Sequence, residues 1–252
     1  MDIKIIIAIH KPYWVPTDSI YLPVQVGAAG KVSIENYQRD DEGENISHKN
    51  AHYCELTGLY WAWKNLKVDY IGLAHYRRHF SNGRLFVDKK RRVITGAELQ
   101  EKLRDTDVLL PTPRNYWIET NYSQYAHAHH AIDLDMTKKI LQEKYPQYIK
   151  AWDASMKKTT GHRFNMFIMK KGKFDSYCEW LFDVLFELEK RLDISAYNKY
   201  DSRVFGFVSE RLLDVWITTN AVEYKNTSYV FMESQNWFTK GWNFVKRKIR
   251  KK

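Results

Sequence analysis

The sequence predicts an α/β fold, one domain whose mostly parallel central sheet is flanked by helices. Three observations carry this reading. Ile3–Ile9 is an apolar run, interrupted only by Lys4 and stopped by His10-Lys11-Pro12, the mark of a strand buried on both faces. A second run, residues 69–75, ends in His75-Tyr76-Arg77-Arg78-His79-Phe80. Between and after these runs lie segments with apolar residues three and four apart, the period of a helix.

The elements follow in order. After the first strand, residues 12–48 read as irregular, with Pro12, Pro16, Pro23 and an acidic turn at Asp40-Asp41-Glu42-Gly43-Glu44 that is expected to face solvent. Ser47 is a candidate N-cap for a helix over residues 49–64, whose Tyr53, Leu56, Tyr60 and Trp63 share one face. The second strand comes next. Thr95 caps a helix over residues 96–104, and residues 107–110 read as a short strand ended by Pro111. Residues 115–131 are rich in Tyr and His. A helix is expected over residues 133–144, a strand over 163–169, helices over 174–191 and 208–218, and a strand over 229–232.

Charge divides the chain unevenly. The total of 40 Lys and Arg against 30 Asp and Glu gives +10. Residues 237–252 hold seven of the basic groups and no acid, so residues 1–236 carry only +3. The reading is therefore a domain over 1–236 and a basic tail over 237–252. In the tail, Phe238, Trp242, Val245 and Ile249 make one helical stripe beside Trp237. With Lys246, Arg247 and Lys248 this is the pattern of a helix lying in an anionic bilayer surface. A body near neutrality argues against nucleic acid, which calls for a basic face spread along the fold. Two cysteines, Cys54 and Cys178, make no disulfide framework, and Ile3–Ile9 is too short for a span or a signal peptide. The expected place is cytoplasmic, peripheral on the inner face of the cell membrane.

In open α/β sheets, ligands bind beyond the carboxyl ends of strands. His10-Lys11 and His75-Tyr76-Arg77-Arg78 both occupy such ends. No glycine-rich phosphate loop is present, so phosphate would be met by Lys11, Arg77 and Arg78, the guanidinium groups offering two parallel donors each. The base candidates are Asp133, Asp135, Asp201 and Glu210, the last placed by this reading at a helix start with Ser209 as its cap. His127, His129 and His130 give a weak zinc pattern. Asp133 with Asp135, or Asp40 with Asp41 and Glu42, would suit a Mg or Mn ion, with solvation as the plainer role of each.

Several strings then point to a family. They are Asn45-Ile-Ser-His-Lys-Asn50, Tyr53-Cys-Glu-Leu-Thr57, Tyr70-Ile-Gly-Leu-Ala-His-Tyr-Arg-Arg-His-Phe80, Arg163-Phe-Asn-Met-Phe-Ile-Met169 and Arg203-Val-Phe-Gly-Phe-Val-Ser-Glu-Arg-Leu-Leu213. Together they resemble the bacterial capsular and exopolysaccharide glycosyltransferases once catalogued only as a domain of unknown function. The resemblance implies a GT-A-like nucleotide-sugar fold and transfer of a hexose from a UDP-sugar, galactofuranose being one donor sugar of the family. The implied acceptor is a lipid-linked oligosaccharide. GT-A-like enzymes hold a divalent metal on an Asp-x-Asp motif. Here the comparable strand ends in His75-Tyr76-Arg77, so the cations are expected to neutralise the diphosphate instead. The resemblance implies donor contacts from His10, Lys11, His75, Tyr76, Arg77, Arg78 and Asn165. It implies acceptor contacts from Tyr125, His127 and Arg211, and a base in Glu210 with Asp133 in reserve. The competing readings are a non-enzymatic scaffold at the membrane and a basic nucleic-acid-binding module.

Overall fold

Strand β1 (Ile3–Ile9) shows how the chain builds two cores at once. Side chains alternate across a strand. Ile3, Ile5, Ile7 and Ile9 enter one apolar cluster, while Ile6 and Ala8 enter another on the opposite face. Burying each isoleucine contributes about 1.5–3 kcal/mol. The computed structural model describes residues 1–233. The expected boundary between 1–236 and 237–252 lies outside the described residues, as do the tail residues Trp237, Phe238, Trp242, Lys246, Arg247 and Lys248.

After β1 come β2 (Tyr21–Gln25), β3 (Gln38–Arg39), α1 (Asn50–Tyr53), α2 (Leu56–Asn65), β4 (Tyr70–His75), β5 (Arg78–Phe80), α3 (Gly96–Lys102), β6 (Val108–Pro111) and β7 (Arg114–Asn115). The second half holds α4 (Asn121–Ala128), α5 (Ala131–Lys144), α6 (Ile149–Lys157), β8 (Thr160–Gly161), β9 (Phe167–Lys170), α7 (Lys171–Arg191), α8 (Val204–Thr219), β10 (Lys225–Thr227) and β11 (Tyr229–Phe231). The main sheet runs β10-β6-β9-β4-β1-β2-β3 and is mostly parallel, with β9 reversed between β4 and β6. The mixed α/β architecture expected from the sequence is what the chain adopts. Residues of α2, α5, α6, α7 and α8 pack on one face of the sheet, and α3 with β5 and β11 on the other. Gly72 lets β4 and β9 close up, since a Cβ there would lie 2.9 Å from Ile168 Cγ1 and 3.1 Å from the Phe167 carbonyl. Among the described residues no helix is long and apolar enough to cross a membrane.

Several expectations change. The helix expected over 49–64 is broken at Cys54, whose φ of 53° and ψ of −128° leave the helical region. Ser47 caps no helix, and its hydroxyl donates to Asp40 instead. The capping box at Thr95 is present, with Glu98 closing it. The strand expected over 163–169 begins only at Phe167, because Phe164 and Asn165 hold φ of 75° and 53°. Helix α8 begins at Val204, so Ser209 lies inside it and cannot cap it.

Asp40 is the largest correction in the first third. It was assigned to a solvated turn or a metal, yet it is fully buried. Its two oxygens accept from Gly27 N at 2.8 Å, Ala28 N at 2.9 Å, Thr57 Oγ1 at 2.6 Å and the Ser47 hydroxyl. It thus ties the turn after β2 to the start of α2. Asp40→Ala strands buried donors, each costing about 1–3 kcal/mol, so unfolding free energy in urea should fall by roughly 3 kcal/mol or more. A fall below about 1 kcal/mol would mean that water replaces the carboxylate.

Candidate functional site

The parallel pairing of β1 with β4 sets Ala8 opposite His75, so both strands finish at one edge of the sheet. Because β9 runs the other way, its leading residues Phe164 and Asn165 reach the same edge. The break between α1 and α2 brings Cys54 and Glu55 there, and the start of α8 brings Gly206, Ser209 and Glu210, with Arg203 just before it. The two strand ends named from the sequence thus lie side by side.

Cations gather around Tyr76, a buried ring. Lys11 Nζ is 5.6 Å and Arg77 Cζ 5.1 Å from its centroid, and His10 meets it edge-on at 5.3 Å. Arg78 stacks on Phe164 at 4.1 Å. Burial lowers the His10 pKa, and the charges of Lys11, Arg77, Lys31 and Arg203 lower it further. After burial, the remaining contributions are all from cations near the strand ends. Arg77 is half exposed, and its nearest carboxylate, Glu233, is 3.7 Å away. It is free to turn toward an anion.

Beneath the cations lies a buried polar lattice. Asn165 Nδ2 donates to Glu55 Oε1 at 2.7 Å and to the Gly206 carbonyl at 3.1 Å. Its Oδ1 accepts from Ser209 Oγ at 2.8 Å. Both amide hydrogens are therefore committed, and Asn165 locks β9, α8 and Glu55 together rather than presenting a donor to a sugar. Burial pushes the Glu55 carboxyl above the usual range, with the Asn165 hydrogen bond pulling the other way. His75 Nε2 lies 2.9 Å from the Phe164 carbonyl and 3.7 Å from Glu55 Oε1. Donation to that carbonyl puts the proton on Nε2. Burial, then the Arg78 charge, lower the His75 pKa to about 3, so the ring is neutral near pH 7. Burial also lowers the Arg78 pKa, opposed by Glu210 and Glu55. Arg203 Nε donates to Cys54 Sγ at 3.0 Å, which holds the broken helix against α8.

Glu210 sits in the second turn of α8 at the border of this lattice. Its Oε2 is 3.2 Å from Arg211 Nη1. Arg211 is almost wholly buried; Nη2 donates to Gln124 Oε1 at 2.6 Å and its guanidinium covers Tyr125 at 5.4 Å. Tyr125 in turn donates to Asp133 Oδ2 at 2.8 Å, and Tyr197 to Asp133 Oδ1 at 2.6 Å. This corrects two expectations. Tyr125 is fully buried and lines no open surface. Asp133 is buried with both oxygens accepting from phenols, so it offers no open oxygen to an incoming hydroxyl. Arg211 supports Glu210 from within. His127 lies on α4, its Nδ1 2.6 Å from Glu119 Oε1.

Two residues of the lattice were missed, Glu55 and Arg203. Both lie in strings that carried the family resemblance, and that was the available signal. A divalent ion does not fit the strand ends. His75 spends Nε2 on a carbonyl, the neighbouring groups are cations, Glu55 accepts from Asn165, and Glu210 lies beside Arg211. Among the described residues no three His, Cys, Asp or Glu side chains come together as a metal-holding group.

A family model described as a domain of unknown function, DUF4422, matches residues 4–221. The apo structure of WbbM, a bifunctional glycosyltransferase, superposes with a TM-score of 0.86 at 31% identity. The match covers 93% of this chain but 46% of WbbM, so the chain spans about half the length of that relative. No curated protein matches the chain.

Proposed function

The chain belongs to the DUF4422 family, and from that premise we propose that it is a glycosyltransferase moving a hexose from a UDP-sugar to a lipid-linked oligosaccharide in surface-glycan synthesis. The observation that carries the reading is the set of cations at the β1 and β4 ends with Glu210 beside it. The likeness to WbbM supports the reaction class. As the sugar C1–O bond to the diphosphate breaks, negative charge grows on the leaving oxygens. Lys11, Arg77 and Arg78 are aimed where that charge appears, which is the main catalytic contribution available without a metal. The acceptor hydroxyl forms the new C1–O bond and passes its proton to Glu210. His10, His75 and Tyr76 shape the donor side. Arg211 holds Glu210, and His127 lies toward the acceptor. Residues 237–252 keep the enzyme on the anionic inner face of the membrane, where its acceptor is anchored.

UDP release from a panel of UDP-sugars, UDP-galactofuranose included, tests this directly. The assay contains detergent-solubilised lipid-linked acceptor, with and without EDTA. One donor should be consumed at a rate that EDTA leaves unchanged. No UDP release from any donor, with thermal stabilisation by an oligonucleotide and none by UDP, would instead support a nucleic-acid module.

A further inference from the structure

The segment between β5 and α3 is a closed neck carrying an apolar tip. Ser81 bridges Val93, Asn82 N donates to the Arg92 carbonyl at 2.9 Å, and Ile94 N to the Phe80 carbonyl at 3.0 Å. Above this neck Leu85 is 65% and Phe86 103% exposed, and Val87 is exposed beside them. Phe86 also holds φ of 59°, a region that is a genuine outlier for a bulky side chain. Nothing in the described chain covers this ring. The neck carries Arg84, Lys89, Lys90, Arg91 and Arg92 against a single acid, Asp88.

The neck also adjoins the last described residues. Lys89 Nζ donates to the Met232 and Glu233 carbonyls at 3.2 and 3.1 Å. The sequence continues from there into the seven basic groups of residues 237–252. Its base touches the carboxyl edge of the sheet as well, since Ser81 N donates to the Ser228 carbonyl at 2.8 Å, directly after β10.

We propose that the 84–92 loop is a second membrane contact, with Leu85, Phe86 and Val87 entering the acyl boundary of an anionic bilayer and the basic neck meeting its phosphates. A narrow convex tip suits lipid, which parts around a wedge, better than a protein partner, which needs a broad complementary face. Three consecutive apolar residues collared by cations match an anionic surface in both chemistry and charge. The site proposed for sugar transfer would then face the membrane plane, but the loop contact stands or falls without reference to any donor.

The test uses the full chain and vesicles of phosphatidylcholine with phosphatidylglycerol, against pure phosphatidylcholine. Phe86→Cys carries a polarity-sensitive fluorophore, and the unchanged chain gives the labelling background of Cys54 and Cys178. The probe should shift to the blue on anionic vesicles and be quenched by nitroxide lipids, while the same probe on Lys139→Cys should show neither. Leu85→Ser with Phe86→Ser should weaken partitioning roughly tenfold with no change in melting temperature. A probe that stays in water while the chain sediments with vesicles would show that another surface binds, and would overturn the proposal. So would unchanged partitioning of the double variant, absence of binding to anionic vesicles, or burial of the probe by self-association or an oligonucleotide.

Discussion

Alanine in place of Arg77 should lower donor turnover by about 10²–10³-fold, the usual cost of removing one group that stabilises developing negative charge. Arg77 lies two residues past the end of β4, its guanidinium 5.1 Å from the Tyr76 ring and 3.7 Å from Glu233. An ion pair at that distance and exposure is weak, so the side chain can leave it for a diphosphate. For the same reason the fold does not depend on it, and melting should stay within about 0.5 kcal/mol of the parent. Lysine at 77 should recover part of the loss, because it keeps the charge but not the two parallel donors. Arg78 makes a poorer test. It is packed on Phe164, and its removal would disturb the lattice as well as the charge. Steady-state UDP release, measured with and without EDTA, decides the matter. Intact turnover in Arg77→Ala together with complete loss in EDTA would mean that a metal carries the diphosphate.

The strand ends were legible because two apolar runs fix them. Ile3–Ile9 and Tyr70–His75 are the central parallel pair, and the residues after them fall at one edge whatever the rest of the chain does. The broken helix and the late start of β9 share a cause, which is backbone geometry that residue type does not announce. Cys54, Phe164 and Asn165 all take positive φ. Two of these are residue types with no preference for it. The break at Cys54 is what delivers Glu55 to the site, so Glu55 was unreadable as a site residue by periodicity. Strand β2 was hidden by Pro23, which cannot donate to a ladder. It is tolerated where β3 covers only Val24 and Gln25. Helix α6 buries Ala151, Trp152, Ser155 and Met156, a helical spacing that is present in the sequence but short and mixed with polar residues. Asp40 and Asp133 were misread in the same way. Each is a carboxylate satisfied by hydroxyl or backbone donors from other segments, which residue type and spacing do not announce.

Glutamine at position 210 should lower kcat by about 10²–10⁴-fold, the range for losing a general base, with the donor KM little changed. The change keeps size and hydrogen bonding but removes the capacity to take a proton. Arg211 Nη1, 3.2 Å from Oε2, can still donate to the amide oxygen, and the backbone carbonyl of residue 210 still accepts from Arg163 Nη1 at 3.0 Å. The helix therefore has no reason to move. Asp133→Asn provides the contrast. It replaces one acceptor of the Tyr125–Asp133–Tyr197 network with a donor, so it should lower thermal stability without a matching fall in kcat. Donor hydrolysis in the absence of acceptor separates the roles further, because water needs less help than a sugar hydroxyl held in one pose. If Glu210→Gln keeps wild-type kcat while Asp133→Asn loses it at unchanged stability, the proton leaves by way of the buried tyrosines and the base has been placed on the wrong helix.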